Sequence, residues 1–450
     1  MIALHISALV FMAYALVSLI LPLKIKWLYK GLLALVVVAA GLKYVVYSQT
    51  GGILEPKLDS SYIVAFEAAY SALMLCVVLA LLKDIVLLFI WIARVLGWLN
   101  QVSIAHSKIS TVIAIVGVSA GVLGTLSQFK VPQVYDETIY IKDLPKDLQG
   151  YQIVQLTDLH IGPILKKEFL QGVVDRTNSL EADLVVITGD LVDGSVAKLK
   201  QEFTPLRDLK ARHGVLAVTG NHEYYSGANS WVKTWEEMGV KFLDNESVLL
   251  QSGSSLLKVV GLPDPRGKAM GAPEPDFNQA MKNVITYQYG MSTSIESPHA
   301  KPMMEELPTE ALETNAHGVI KQGKEKTAKS NTGKNSLVSF NIGHKNNDKA
   351  LKSFRAGRGN AVLLLAHQPV VADYEGVSAD LILSGHTHGG TMFFLKPLIA
   401  RFNAGYVSGL YKLDSRTHLY VSNGTGIWSG FSCRIFVPAQ IMRFTLQAAP

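Results

Sequence analysis

Five short polar clusters, each directly after an apolar run, carry the residues best able to do chemistry. They read TDLHIG from Thr157, TGDLVDG from Thr188, TGNHEYY from Thr219, AHQP from Ala366 and SGHTHGG from Ser384. Carboxylate and amide oxygens and imidazole nitrogens are ligands that divalent transition metals accept. Two such ions about 3.5–4 Å apart also need a carboxylate that bridges them. The residue types therefore predict a site for divalent cations.

The elements that position these clusters are predicted to be buried strands. Apolar runs of four to six residues alternate with amphipathic stretches after Glu137, a pattern typical of strands alternating with helices in an α/β fold. The predicted strands are 151–156, 184–188, 215–219, 361–366 and 380–384, with a helix near 166–179. Open α/β sheets bind ligands at the carboxyl ends of their strands. We therefore expect the polar clusters to meet at one sheet edge.

The ordered motifs resemble those of the calcineurin-like metallophosphoesterases. The motifs are Asp158-x-His160, Gly189-Asp190-x-x-Asp193, Gly220-Asn221-His222-Glu223, His367 and Gly385-His386-x-His388. The stretch ETIYIKDLPKDLQGYQIVQLTDLHIG and the later SGHTHGG are similar to a membrane-linked bacterial subgroup of that family. The resemblance covers residues 135–447 apart from an insertion. It implies a four-layer α/β/β/α sandwich with metals at the sheet edge.

The resemblance assigns seven residues to two divalent metal ions. One ion takes Asp158, His160 and His388, the other takes Asn221, His367 and His386, and Asp190 bridges them. The mixed oxygen and nitrogen ligands favour manganese, iron or zinc over calcium. A hydroxide bridging the metals would attack phosphorus in line.

Two further residues receive catalytic roles from the same resemblance. His222 would steady the transferring group and protonate the leaving oxygen, with Asp193 orienting its ring. From the sequence alone Asp193 could equally be the cap of a turn. For Glu223 we prefer a solvated loop residue over a carboxylate behind the site, and we expect His213 to be structural.

The first 130 residues predict an α-helical transmembrane region. Apolar residues make up 49% of the chain and charged residues 17%, and the apolar excess lies almost wholly before residue 130. The apolar stretches are 2–23, 31–47, 62–82 and 110–129, each close to the about 20 residues that cross a bilayer. A fifth crossing near 85–98 is one alternative. We prefer one long helix that leaves the bilayer, or an interfacial helix with Arg94 on its polar side. Glu67, near the start of its span, is interpreted as an interfacial carboxylate.

Basic residues predict the orientation of these spans. Lys24, Lys26 and Lys30 follow the first span, and Lys83, Arg94 and Lys108 follow the third. The positive-inside rule places both sets in the cytoplasm. Four spans then give a multi-pass protein of the bacterial cell membrane whose catalytic domain is extracytoplasmic.

Residues 286–358 interrupt the alternating pattern. They are rich in Lys, Asn, Ser, Thr and Gly and poor in apolar clusters, so we expect a flexible insertion. Because the insertion comes just before the strand that carries His367, it is either a lid over the site or an inert surface loop.

The predicted function is hydrolysis of a phosphodiester, pyrophosphate or phosphomonoester. A lipid or cell-envelope substrate is favoured, because the anchor keeps the site near a bilayer. The alternatives are a nucleotide-directed phosphodiesterase and a metal-binding membrane scaffold or sensor without catalysis. Membrane lipids and the phosphoester are the expected partners; a net charge of +6 without a basic and aromatic stripe predicts no nucleic-acid binding. The sequence leaves the oligomeric state open.

Overall fold

The computed structural model describes residues 2–100, 103–287, 289 and 360–450. The insertion predicted at 286–358 lies, apart from residues 286, 287 and 289, outside this part of the chain.

The chain begins with five helices: α1 (Ile2–Ala15), α2 (Trp27–Gly41), α3 (Lys43–Gln49), α4 (Ser60–Val95) and α5 (His106–Leu126). A π-helical turn, Leu16–Ile20, extends α1. Among the described residues, Ser60–Val95 and His106–Phe129 are long and apolar enough to cross a membrane, and α2 with α3, bent by 48°, is a third candidate if the pair is one span. The first apolar helix is shorter, and the count of four spans stays a prediction.

Helix α4 runs for 36 residues without a break, as the single long helix preferred from the sequence requires. Its close contact with α5 depends on glycine. A Cβ on Gly121 would lie 2.5 Å from the Cα of Ala72, and one on Gly117 would lie 2.5 Å from the Sγ of Cys76. Small residues at such crossings let two helix backbones approach closely.

Two six-stranded sheets follow the helices. Sheet one contains, in spatial order, β1 (Gln133–Ile141), β12 (Gln440–Ala448), β2 (Gln152–Leu156), β3 (Leu184–Thr188), β4 (Val215–Val218) and β5 (Val240–Phe242). Sheet two contains β10 (Gly409–Lys412), β11 (His418–Val421), β9 (Leu381–Ser384), β8 (Asn360–Leu365), β7 (Ser255–Gly261) and β6 (Glu246–Ser252). The strands β2 to β5 are mutually parallel, as are β7, β8, β9 and β11.

The two sheets pack face to face. Ile153 and Val186 of sheet one share a buried cluster with Val259 and Leu363 of sheet two. Helices cover the outer faces: α6 (Lys167–Asn178) and α9 (Ala228–Glu236) lie over sheet one, and α10 (Phe277–Lys282) lies over sheet two. The result is the four-layer α/β/β/α sandwich expected from the sequence. The five predicted strands correspond to β2, β3, β4, β8 and β9 within one residue at each end.

The helical region also contributes to the core of the sheet domain (residues 133–448). Tyr47 of α3 and Ile63 of α4 are fully buried in the cluster that covers the outer face of sheet one. Glu67, one turn after Ile63, is buried and paired with Lys43, and its position at the membrane interface stays a prediction. The sheet domain is therefore packed onto the helices rather than tethered by a linker.

Candidate metal centre

The polar clusters lie where the carboxyl ends of β2, β3, β4, β8 and β9 meet, as predicted. Asp158 and His160 follow β2, Asp190 follows β3, and Asn221 opens the short helix α8 (Asn221–Ser226) after β4. His367 follows β8, while His386 and His388 follow β9. Both sheets therefore supply side chains to one site.

Asp158, His160 and His388 form one group able to hold a metal ion. The Nε2 atom of His388 lies 3.4 Å from Oδ1 of Asp158 and 3.1 Å from Nε2 of His160. All three side chains are buried. Two imidazoles and a carboxylate suit zinc, iron or manganese.

Asp190, His367 and His386 form a second group. The Nε2 atom of His367 lies 3.1 Å from Oδ2 of Asp190 and 3.3 Å from Nδ1 of His386. The same Oδ2 atom of Asp190 lies 3.8 Å from Nε2 of His160, which belongs to the first group. Asp190 thus stands between the two groups, where a bridging carboxylate is required.

Hydrogen bonds behind two histidines fix which ring nitrogen faces the site. Nδ1 of His367 lies 2.8 Å from the carbonyl oxygen of Thr188, which can only accept, and Nδ1 of His160 lies 3.1 Å from a carboxylate oxygen of Asp193. Each Nδ1 therefore carries a proton, so Nε2 is the nitrogen that can give an electron pair to a cation when the ring is neutral. This is the tautomer that a metal ligand needs.

Asn221 offers a further oxygen. Its side chain is buried, and its Oδ1 atom has no hydrogen-bond partner among the described residues. Buried polar atoms are nearly always paired, so an unpaired amide oxygen beside carboxylates and imidazoles fits a cation ligand. The donor set thus suits the two ions that the sequence suggested.

Backbone strain concentrates at the same residues. Asp158, His160, Asp190, His386 and His388 all have positive φ angles, between 46° and 71°. Non-glycine residues rarely adopt this conformation, and it persists where the surrounding structure enforces it for function. The loops therefore hold these side chains at a free-energy cost that packing elsewhere offsets.

Charges in the site shift the pKa values of its residues in opposite directions. Burial would raise the pKa of Asp190, but the positive charges of the neighbouring histidines outweigh it and hold that pKa well below its usual range. Burial and the charge of His367 lower the pKa of His386 to about 3, so this ring is neutral near pH 7. An ionised carboxylate and a neutral imidazole are the forms that bind cations.

His222 lies beside both groups and is held by Asp193. Its Nδ1 atom is 2.5 Å from Oδ1 of Asp193, and its Nε2 atom is 4.0 Å from Oδ2 of Asp190. Burial would lower the pKa of His222, but the charges of Asp190 and Asp193 raise it to about 9. The two carboxylates therefore favour the protonated ring, and Asp193 does more than cap a turn.

Glu223 corrects an expectation from the sequence. It is fully buried rather than solvated, and its carboxylate accepts hydrogen bonds from the backbone N–H groups of Gly220, Asp190 and Leu191 at 2.6–2.9 Å. Burial raises its pKa to about 7. Glu223 thus joins the loops after β3 and β4. The sequence around Glu223 does not indicate that this side chain is buried.

Arg434 also belongs to the site, although it lies in none of the motifs recognised in the sequence. Its guanidinium donates to the carbonyl oxygen of His388 at 3.0 Å and to Nδ1 of the same ring at 3.1 Å. A guanidinium only donates, so a neutral His388 carries its proton on Nε2, facing His160. If a cation bound at Nε2, the ring would carry its proton on Nδ1 instead, and Arg434 would keep its contact with the carbonyl oxygen of His388. His213, by contrast, lies away from the site and bonds to Tyr151, as a structural histidine should.

Aromatic side chains flank His222. The rings of Tyr225 and Trp428 stand edge-on to His222, with centroid separations of 5.5 and 5.7 Å. Tyr225 is exposed, whereas Trp428 is partly buried. Both rings therefore contact the imidazole of His222.

The calcineurin-like phosphoesterase family model matches residues 151–390, just over half of the chain. The protein therefore belongs to this family. The family resemblance noted in the sequence is confirmed.

Several relatives cover more of the chain. An uncharacterized metallophosphoesterase of Helicobacter pylori is 30% identical over 312 residues, 69% of this chain and 62% of the relative. One of Campylobacter jejuni is 30% identical over 71% of this chain and 64% of the relative. A transmembrane protein with metallophosphoesterase domain from Danio rerio is 26% identical over 75% of this chain and 63% of the relative. The matches thus span less than two thirds of these relatives. With the apolar helices, they identify a membrane protein.

Proposed function

We propose that this protein is a membrane-anchored phosphoesterase with two divalent metal ions, which hydrolyses a phosphodiester, pyrophosphate or phosphomonoester of a lipid or cell-envelope molecule. The observation that carries the proposal is the position of Asp190 Oδ2, within 3.1 Å of His367 and 3.8 Å of His160. The proposed metal ligands are Asp158, His160, Asp190, Asn221, His367, His386 and His388.

The ions would lower the pKa of water and supply a nucleophile for in-line attack, as well as neutralise charge on the transferring group. Side chains of the protein carry out the remaining steps. His222 protonates the leaving oxygen, since its raised pKa keeps the ring protonated near pH 7 and its Nε2 atom faces the ligand groups. Asp193 holds the ring through Nδ1.

The position of the helices supports a substrate at the membrane. Ser60, at the start of α4, donates a hydrogen bond to the carbonyl oxygen of Pro163 at 2.7 Å. Glu55, in the preceding loop, forms an ion pair with Lys198, with 2.6 Å between the charged atoms. Pro163 belongs to the loop that carries His160, and Lys198 belongs to the short helix that follows the loop carrying Asp193. A site fixed in this way stays at a constant height above the bilayer.

The same packing supports an extracytoplasmic sheet domain. The domain contacts the start of α4. At the opposite end of the helix bundle, the N–H of Lys24 donates to Ser107 of α5, and Lys26 and Lys30 lie at the start of α2. Under the positive-inside rule those lysines face the cytoplasm. A topology reporter fused after Pro450 tests this; a cytoplasmic signal would contradict it.

Hydrolysis of bis-p-nitrophenyl phosphate by the full-length protein in detergent with manganese tests the activity. We expect turnover by the wild type and a loss of roughly 100-fold or more in His222→Ala, which removes the acid but no metal ligand. His106→Ala, at the exposed start of α5, is the matched control and should behave as wild type. If wild type and His222→Ala both hold metal and neither turns over, the scaffold alternative replaces the enzyme.

A further inference from the structure

Large apolar side chains are exposed on the segments that leave the metal site. Phe393 is 53% exposed, Leu398 54%, Phe402 76% and Phe436 86%. Leu398 and Phe402 stand four residues apart on α11 (Lys396–Phe402) and so share one helix face. The rings of Phe393 and Phe436 lie 5.7 Å apart, centroid to centroid. We name these four residues the apolar ledge.

The fold holds the ledge in its exposed position. A β-bridge joins Met392 to Ile435, and the N–H of Phe393 donates to the carbonyl oxygen of Ile435 at 3.1 Å. Phe436 has a φ of 56°, which a bulky residue rarely adopts. The strained backbone conformation and the exposure of a phenyl ring to water are each unfavourable. An apolar environment that covers the ring would remove the second cost.

The ledge is continuous with the surface of the membrane helices. Met392 and Cys433, which flank it in sequence, are buried against Met74 and Leu75 of α4. The ledge therefore lies beside the apolar helix α4, at the level where the sheet domain packs against it.

Exposure along α4 changes at the same level. Residues 70–77 are buried, whereas apolar side chains beyond that point, among them Leu81, Leu82 and Phe89, are exposed. Leucines and phenylalanines exposed around a helix of this length are what lipid covers. The ledge lies beside this transition, so the same bilayer is in position to cover it.

The ledge is also joined to the metal site. Phe393 is five residues after His388, and Phe436 is two residues after Arg434, which holds the His388 ring. Arg401, exposed between Leu398 and Phe402, can extend its guanidinium to lipid phosphates while its stem lies on apolar surface.

We propose that the apolar ledge inserts into the interface of the bilayer that the helices cross, and that the phosphoester substrate reaches the site from a lipid in that leaflet. Access of a lipid substrate to the site rests on the proposed function, whereas insertion of the apolar ledge does not.

Spin labels test the insertion directly. The two native cysteines, Cys76 and Cys433, are buried, so a label reacts selectively with Phe436→Cys. Tyr140→Cys, 53% exposed on β1, is the matched control. With full-length protein in nanodiscs, the label at 436 should collide more with oxygen than with a water-soluble nickel chelate, and the label at 140 should do the reverse. Preference for the chelate at 436 would overturn the insertion. So would poor access to both reagents, since a protein partner or second copy would then cover the ledge.

Substrate access is tested with Phe393→Ser combined with Phe436→Ser. Hydrolysis of a phosphoester embedded in vesicles should fall by roughly tenfold, because the ledge no longer anchors in the interface. Hydrolysis of soluble bis-p-nitrophenyl phosphate should stay within about twofold of wild type. Equal loss on both substrates, or no loss on either, would contradict lipid access. If the wild type hydrolyses neither substrate, the proposed function and lipid access are both contradicted. The spin-label result would still decide whether the apolar ledge inserts into the bilayer.

Discussion

Lys43 of α3 and Glu67 of α4 form an ion pair with 2.8 Å between Nζ and Oε2, and neither side chain is exposed. The pair reaches beyond the helices: Lys43 donates to the carbonyl oxygen of Gly430, and the N–H of Ser432 donates to Glu67. Both contacts lie in the loop between Trp428, beside the proton donor, and Arg434, behind His388. The ion pair therefore anchors the helices to a loop of the metal site.

Glu67→Ala should destabilise the protein by about 3–5 kcal/mol, because it leaves the ammonium of Lys43 buried without its counter-charge. Unfolding in detergent, followed by circular dichroism, measures the change. Glu236→Ala breaks an ion pair with Lys241 that is also 2.8 Å long but partly exposed, and should cost less than about 1 kcal/mol. Similar losses in the two variants would show that the buried pair does not anchor the loop.

Asp193→Asn should lower both metal affinity and turnover by about 10–100-fold, because Asp193 accepts from a metal-ligand histidine and from the proton donor. Metal titration and steady-state kinetics measure the two effects separately. His222→Ala is the comparison, since it should lower turnover while metal content stays as in wild type. An Asp193→Asn protein with unchanged metal affinity would mean that the His160 contact is unimportant.

Arg434→Lys keeps the positive charge but loses the forked contact with His388. We expect metal affinity to fall by about 10–100-fold, because the His388 ring is no longer held from behind. Calorimetric titration with manganese gives the affinity. Arg416→Lys, at a half-exposed arginine paired with Asp380, should bind metal as wild type does. Equal metal affinity in the two variants would show that Arg434 does not contribute to metal binding.

His213 gives a dependence of stability on pH that is separate from the metal site. Burial, reinforced by the charge of Arg212, lowers the pKa of His213 in the folded state. The unfolded chain therefore takes up a proton first as the pH falls below about 6.5, and the folded state loses stability from there down to the folded pKa. His213→Gln should show a shallower fall in unfolding free energy between about pH 7 and 5. A steeper fall than in wild type would contradict this prediction, because it would mean that folding raises the pKa of His213.

The sequence predicted the strands and the ligand clusters because both are local. Runs such as LVVIT before Gly189 indicate a buried strand, and side chains after parallel strands meet at one edge whatever the remaining topology. The ordered motifs then supplied the grouping of the ligands. The strands and clusters are recognised from residues within a few positions of one another, whereas the grouping came from the family resemblance.

The remaining features depend on contacts that sequence distance hides. Glu223 looked like a loop carboxylate because its three N–H donors come from two loops. Arg434 lies 46 residues from His388, and Lys43 lies 24 from Glu67. No spacing rule relates such pairs. The ledge was likewise invisible, since Phe436 is exposed through its backbone conformation rather than its neighbours in sequence.

The metal content of aspartate variants tests the central claim most directly. Full-length wild type, Asp158→Asn and Asp190→Asn are refolded or purified identically, loaded with manganese, freed of excess metal and measured by mass spectrometry. The account predicts two ions per chain in the wild type, loss of both in Asp190→Asn, and loss confined to one in Asp158→Asn. Two ions retained by a folded Asp190→Asn protein would contradict it.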